Sequence, residues 1–164
     1  MSCQIRISFD HKSLANIGLG LHIRRCITQA LRCLEVDAPC EINVLITNNE
    51  GIRLINKAAR EIDQPTDVLS FPGFAFEPGV LPEDWSQYKD PETGLVALGD
   101  MCISLERAIE QGHEFGHGIK REIGYLVVHS VLHLLGYDHM DEGPMKKQMR
   151  CQEEIIMAKL LLPR

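Results

Sequence analysis

Residues 119–139 read IKREIGYLVVHSVLHLLGYDH. Apolar side chains recur at helical spacing as far as Leu135, which predicts a helix over Ile119–Leu135. Gly136 follows at the position where helices commonly end with positive φ. His129 and His133 are four apart, so both imidazoles lie on one face, a turn apart. If the backbone folds back at Gly136, His139 comes close enough to supply a third nitrogen. Three neutral imidazoles leave one position of a tetrahedral zinc ion open, the arrangement of a catalytic rather than a structural site. The set H-x3-H-x2-G-x2-H is far more specific than two histidines at helical spacing.

Working outward, each segment declares its period. CQIRISFD (3–10) alternates Ile5, Ile7 and Phe9 with polar residues and reads as a first strand. From about Leu19 to Leu34 the residues Ile23, Ile27, Ala30, Leu31 and Leu34 form a helical stripe, with Arg24, Arg25 and Arg32 off it. The turn DAPC leads to a second strand, EINVLIT (41–47). Asn48 is placed to cap a helix running to about Arg60. QPTDVLSFP (64–72) is a turn into a short buried strand closed by Pro72. Residues 73–94, rich in Pro, Gly and acids, read as a functional flap or a mobile insertion. LVALGDMCIS (95–104) is a fourth strand passing directly into the helix LERAIEQ, and GHEFGHG (112–118) reads as a linker. Gly143-Pro144 opens a last helix through about Leu161. The expected fold is α+β: a single domain over 1–164, a mixed four-stranded sheet covered by about five helices, and a metal site at the end of a helix.

Bulk properties narrow the class. The 164 residues are 45% apolar and 24% charged, ordinary for one globular domain. A net charge of -6 does not point to nucleic acid, although binding depends on local patches rather than totals. The start MSCQIRISFDHK lacks a cationic segment followed by an apolar core, and no apolar run approaches the ~20 residues that span a bilayer. A cytoplasmic protein without a membrane partner is expected. Six cysteines, at 3, 26, 33, 40, 102 and 151, form no C-x-x-C pair and read as reduced thiols used as small core residues.

Around the histidines several side chains have two readings. Asp138 either orients an imidazole or caps the turn. Glu122, seven before His129, either supports the site or favours the helix start electrostatically. Asp67 and Asp100 read as acceptors for turn amides, and Ser70 is a weak candidate for substrate contact. His113 and His117 mimic a second metal pair, but flanking glycines favour the linker. Ser130 stands where H-E-x-x-H peptidases keep the glutamate that acts as general base. Serine has no usable pKa near neutrality for that task, so peptide hydrolysis lacks its proton acceptor. A phosphodiester depends more on charge neutralisation, which a metal ion and an arginine supply.

HSVLHLLGYDH, PTDVLSFP, LGDMCIS and the N-x3-R of Asn56 and Arg60 together resemble the YbeY-type endoribonucleases, or rRNA maturation factors. The resemblance covers roughly Asn56 to the C-terminal helix. It implies a zinc-dependent, single-strand-specific RNA endonuclease of the bacterial cytoplasm or of bacteria-derived organelles. It also implies 16S rRNA 3′-end maturation and ribosome quality control, with the ribosome or its small subunit as partner. By position His129, His133 and His139 carry over as zinc ligands and Arg60 as the catalytic cation of the cleft. Nickel or another divalent ion is compatible with imidazole ligands. The family usually has glycine where this chain has Ser130, so a hydroxymethyl either narrows the cleft or adds a hydrogen bond. Arg53 and Lys57 share a face with Arg60 and read as a solvated surface before a phosphate track.

Two other readings follow from the same residues. A zinc peptidase gains from the metzincin-like spacing and loses from Ser130. A non-enzymatic zinc protein docking on the ribosome gains from the acidic balance. The sequence leaves open water against 2′-hydroxyl attack, the cleavage sequence and the oligomeric state.

Overall fold

The alternating apolar residues of EINVLIT lie at the centre of the sheet in the computed structural model, which describes residues 2–11, 17–139 and 143–162. Strand β2 (Cys40–Thr47) buries Ile42, Val44 and Ile46 on one face. It pairs in parallel with β1 (Cys3–Phe9) on one side and β4 (Val96–Ser104) on the other. β3 (Val68–Pro72) pairs antiparallel with β4, giving the order β1-β2-β4-β3 and leaving β3 at an edge. The sheet is therefore mixed, as expected. The parallel β1–β2 pair needs a crossover, which α1 (Ile17–Cys33) supplies.

A bulge in β4 decides which residues face which layer. Glu41 and Ile42 pair with Ala97 and Gly99, so Leu98 has no partner in β2. Inward positions shift accordingly, from Val96 and Leu98 to Met101 and Ile103. Cys102 turns to the opposite face, where α2 (Asn49–Arg60) covers it with Ile52 and Leu69. Asn48 caps α2 as expected, its side chain accepting the Gly51 N–H at 2.9 Å.

The helix predicted by the opening stretch is α4 (Gly118–Leu134), and it lies in the middle of the helical layer. Residues all around it are buried, among them Ile123, Leu126, Val127, Val128, Val131 and Leu134. A helix apolar on every side needs neighbours on every side. It has them in α1, β3, α3 (Leu105–Glu114) and α5 (Pro144–Lys159).

Two expectations change. GHEFGHG is not one linker, because α3 continues to Glu114. Gly112 belongs to the helix: a Cβ there would lie 2.9 Å from the Gly118 carbonyl carbon, so this glycine permits close packing of α3 on α4. His113 thus lies in the last turn of α3 and His117 precedes α4, which separates the apparent pair. Residues 73–94 form a packed segment rather than a loose insertion. Phe74, Phe76, Trp85 and Tyr88 contact one another with ring centroids 5.1–6.0 Å apart. Trp85 is buried and its Nε1–H donates to Asp37 at 2.8 Å.

Three of the six cysteines, Cys26, Cys40 and Cys102, are buried thiols, while Cys151 is exposed. Burial pushes the Cys26 thiol up to about 11 and Cys102 up to about 12. Among the described residues, no helix is long and apolar enough to cross a membrane.

Candidate metal centre

The end of α4 builds the site. Gly136 has φ 88°, and its N–H donates to the His133 carbonyl at 3.1 Å. The Tyr137 N–H donates to the Leu132 carbonyl at 3.0 Å. These two bonds are a Schellman closure. A Cβ at position 136 would sit 2.0 Å from the Phe76 carbonyl oxygen, so the packed 73–94 segment also requires glycine here. The reversal returns the chain toward α4 and brings His139 beside His129 and His133.

Ring centroids of the three imidazoles are 4.6, 5.0 and 5.3 Å apart. One nitrogen from each lies within 4.8 Å of the others. The Nε2 atoms of His129 and His133 are 3.1 Å apart. A tetrahedral zinc with bonds of about 2.0–2.1 Å holds its nitrogens about 3.3–3.4 Å apart, so the donor set fits one such ion. Among the described residues no further His, Cys, Asp or Glu joins the group.

The protonation states favour ligation. The His129 Nδ1 lies 2.7 Å from Glu153 Oε1, and Glu153, on α5, is only 8% exposed. A proton on Nδ1, donated to that carboxylate, leaves the Nε2 lone pair facing His133. The other carboxylate oxygen accepts from the Tyr125 hydroxyl at 3.4 Å. Burial, and then the charge of Glu153, push the Tyr125 phenol up to about 12, so it stays a donor. Burial, and then the charges of His129 and His139, push His133 down to about 4. It is therefore neutral at pH 7, the form that binds a metal.

The imidazoles open into a cleft of about 1010 Å³. Arg60, the last residue of α2, lines the same cleft, as do Asp67, Val68, Ser70, Pro72, Phe74, Tyr137 and Asp138. The structure thus brings Arg60 and the three histidines to one cavity. The other cations of α2 are occupied elsewhere. Arg53 pairs with Glu50 and Asp63, and Lys57 with Asp63 at 2.8 Å. They form a solvated salt-bridged surface, as the sequence reading preferred.

The remaining candidates take other places. Ser130 is fully buried, and its Oγ lies 2.7 Å from Ser70 Oγ. It fastens α4 to β3 and does not line the cleft. The extra hydroxymethyl therefore adds a hydrogen bond rather than narrowing the cleft. Ser70 lines the cleft, but its hydroxyl is turned to Ser130. Glu122 lies beside His117 at 3.5 Å instead of joining the imidazoles. Burial, and then the charge of Asp67, push its carboxyl above the usual range. Asp138 accepts the His139 N–H at 2.7 Å, so it shapes the turn. Asp67 accepts from Val68 N–H at 2.7 Å and Gln111 at 3.2 Å, and Asp100 accepts from Asn43 at 2.8 Å.

Sequence reasoning missed Glu153. A signal was available: Met149, Glu153, Ile156 and Met157 all lie on the buried stripe of α5. A carboxylate inside such a stripe needs a partner, and His129 is that partner.

Comparison with known proteins gives the family. Residues 6–161 match the family model described as Endoribonuclease YbeY. An Endoribonuclease YbeY of Clostridium kluyveri is 46% identical over 149 residues, covering 85% of this chain and 90% of that protein. One from Clostridium botulinum strain Hall is 44% identical over 160 residues, covering 94% and 96%. The solution structure of TM1509 from Thermotoga maritima is similar in fold, with a TM-score of 0.58 at 23% identity, over 96% of this chain and 92% of that one.

Proposed function

Because the chain belongs to the endoribonuclease YbeY family, we propose that it is a metal-dependent endoribonuclease whose centre is His129, His133 and His139. The observation that carries the metal assignment is the convergence of three imidazole nitrogens within 4.8 Å at a cleft also lined by Arg60. Zinc is the ion we assign, because three imidazoles suit it, and nickel fits the same donors. A divalent ion bound there supplies Lewis acidity toward a phosphoryl oxygen.

The chain's own groups do the rest. The Arg60 guanidinium pairs two oxygens of the scissile phosphate and stabilises charge developing at phosphorus. Glu153 fixes the His129 ring and its tautomer. Among the described residues the carboxylates that line the cleft are Asp67 and Asp138, and each accepts the N–H of the residue that follows it, so both shape turns. Ser130 is buried beneath β3. Phosphodiester chemistry therefore fits the residues better than peptide hydrolysis.

In this reading the substrate is single-stranded RNA. The setting is 16S rRNA 3′-end maturation and ribosome quality control in the cytoplasm. The test is metal analysis with a single-stranded RNA cleavage assay. His133→Ala is expected to lose both bound metal and cleavage. Arg60→Ala is expected to keep its metal and fold while cleavage falls about 10²–10³-fold. Unchanged cleavage by Arg60→Ala would remove that residue from the mechanism.

A further inference from the structure

We propose that the outer main-chain edge of β3 grips an unpaired base of the RNA: the Val68 carbonyl and the Ser70 N–H hydrogen-bond its Watson–Crick edge. This rests on the endoribonuclease reading and extends it to how the substrate is held.

Register fixes which groups face outward. In an antiparallel pair, alternate residues turn both N–H and C=O toward the partner strand. The Ser104 N–H donates to the Asp67 carbonyl at 2.9 Å, and the Gly73 N–H to the Leu98 carbonyl at 2.8 Å. Both bonds continue the β3–β4 register, so odd-numbered residues of β3 face β4. Val68, Ser70 and Pro72 therefore turn their main-chain groups to the open edge. Pro72 agrees, because a residue lacking an N–H is tolerated where no ladder bond is due. Those three residues, and not Leu69 or Phe71, line the metal cleft.

One outward donor is already used: the Val68 N–H bonds its neighbour Asp67 at 2.7 Å. Ser70 N–H is left as the edge's donor, flanked by the Val68 carbonyl two residues before it. A carbonyl at one residue and an N–H two residues on present an acceptor and a donor side by side. An adenine or cytosine edge, with an amino donor beside a ring-nitrogen acceptor, complements that pair.

Charge says which part of RNA meets this wall. Among the described residues, apart from histidines, the charged side chains lining the cleft are Arg60, Asp67 and Asp138. One cation among two acids cannot follow a run of phosphates, so Arg60 serves a single phosphate and the wall meets bases. A base in a duplex has its Watson–Crick edge occupied, so this contact selects single strands.

The test uses the metal-loaded full chain. Ser70→Pro removes the outward N–H while leaving the β4 ladder intact, and Ser130→Ala removes only the serine–serine bond that Ser70→Pro also breaks. On a single-stranded oligonucleotide kcat/KM is expected to fall about tenfold or more for Ser70→Pro, the loss of one base contact, and less than about threefold for Ser130→Ala. Equal losses in both variants, or no loss in Ser70→Pro, would overturn the proposal. A second measurement needs no variant: abasic nucleotides are scanned through the cleavage site with the wild-type protein. One position is expected to lose about tenfold; cleavage indifferent to every abasic position would also overturn it. Wild-type protein with bound metal that cleaves no RNA refutes the endoribonuclease reading itself, an outcome distinct from both.

Discussion

Replacing Glu153 by glutamine isolates the buried carboxylate behind His129. The substitution preserves volume, and the amide oxygen can still accept the Nδ1–H across the 2.7 Å contact. What goes is the charge. Charge-assisted hydrogen bonds are roughly twice as strong as neutral ones. Loss of such a partner to a ligating imidazole typically costs about 10–100-fold in metal affinity, or about 1.4–2.7 kcal/mol. With zinc in fixed excess, the same energy disappears from the stability of the loaded protein. For a chain of this size the melting midpoint then drops roughly 3–10 °C. The metal-free protein behaves differently. Removing a nearly buried charge leaves its midpoint unchanged or higher, because the desolvation of the carboxylate is relieved. The assay is zinc titration against a chromophoric chelator, with melts of metal-free and metal-loaded forms. Undiminished affinity would refute the reasoning. So would a metal-free melt that falls as far as the loaded one, since Glu153 would then hold α5 to α4 without tuning the ligand.

The turn and the buried acid yield two more expectations. Gly136→Ala places a Cβ against the Phe76 carbonyl at a residue with φ 88°. The left-handed conformation alone costs about 1–2 kcal/mol. We expect metal affinity to fall together with stability, measured by the same titration and melts; wild-type affinity in this variant would show that His139 is not aimed by the turn. Glu122→Gln tests pH linkage. Burial and Asp67 raise the folded-state pKa of Glu122 above its ordinary 4.5. Its ionisation is thus favoured in the unfolded chain, and its contribution to stability is lost as pH rises through the folded pKa. The glutamine variant should therefore be more stable than wild type at pH 8, with the gain vanishing near pH 4 in denaturant titrations. A loss at pH 8 would mean that the 3.5 Å contact with His117 dominates.

Much of this architecture is legible in the chain because the physics is local. The 2-residue period of EINVLIT and the helical period of α1, α2 and α4 each identify one element without reference to another. The histidine cluster is legible for the same reason: one helix turn and one glycine place all three rings. What the sequence hides is pairwise. Gly112 looks like a breaker until α4 arrives against it. Ser130 looks like a failed catalytic residue until β3 supplies Ser70. Glu153 is 24 residues from His129, and only the docking of α5 on α4 brings them together. The β4 bulge likewise depends on register with β2, which no window of β4 contains.

The contact of the Phe76 carbonyl with Gly136 joins two parts that a designer would want to alter separately. The aromatic quartet anchors a segment that begins as the cleft wall at Gly73–Ala75 and then braces the bend after α4 that leads to His139. Shortening that segment to admit bulkier oligonucleotides would also release the bend, so breadth of substrate and grip on the ion are mechanically geared together.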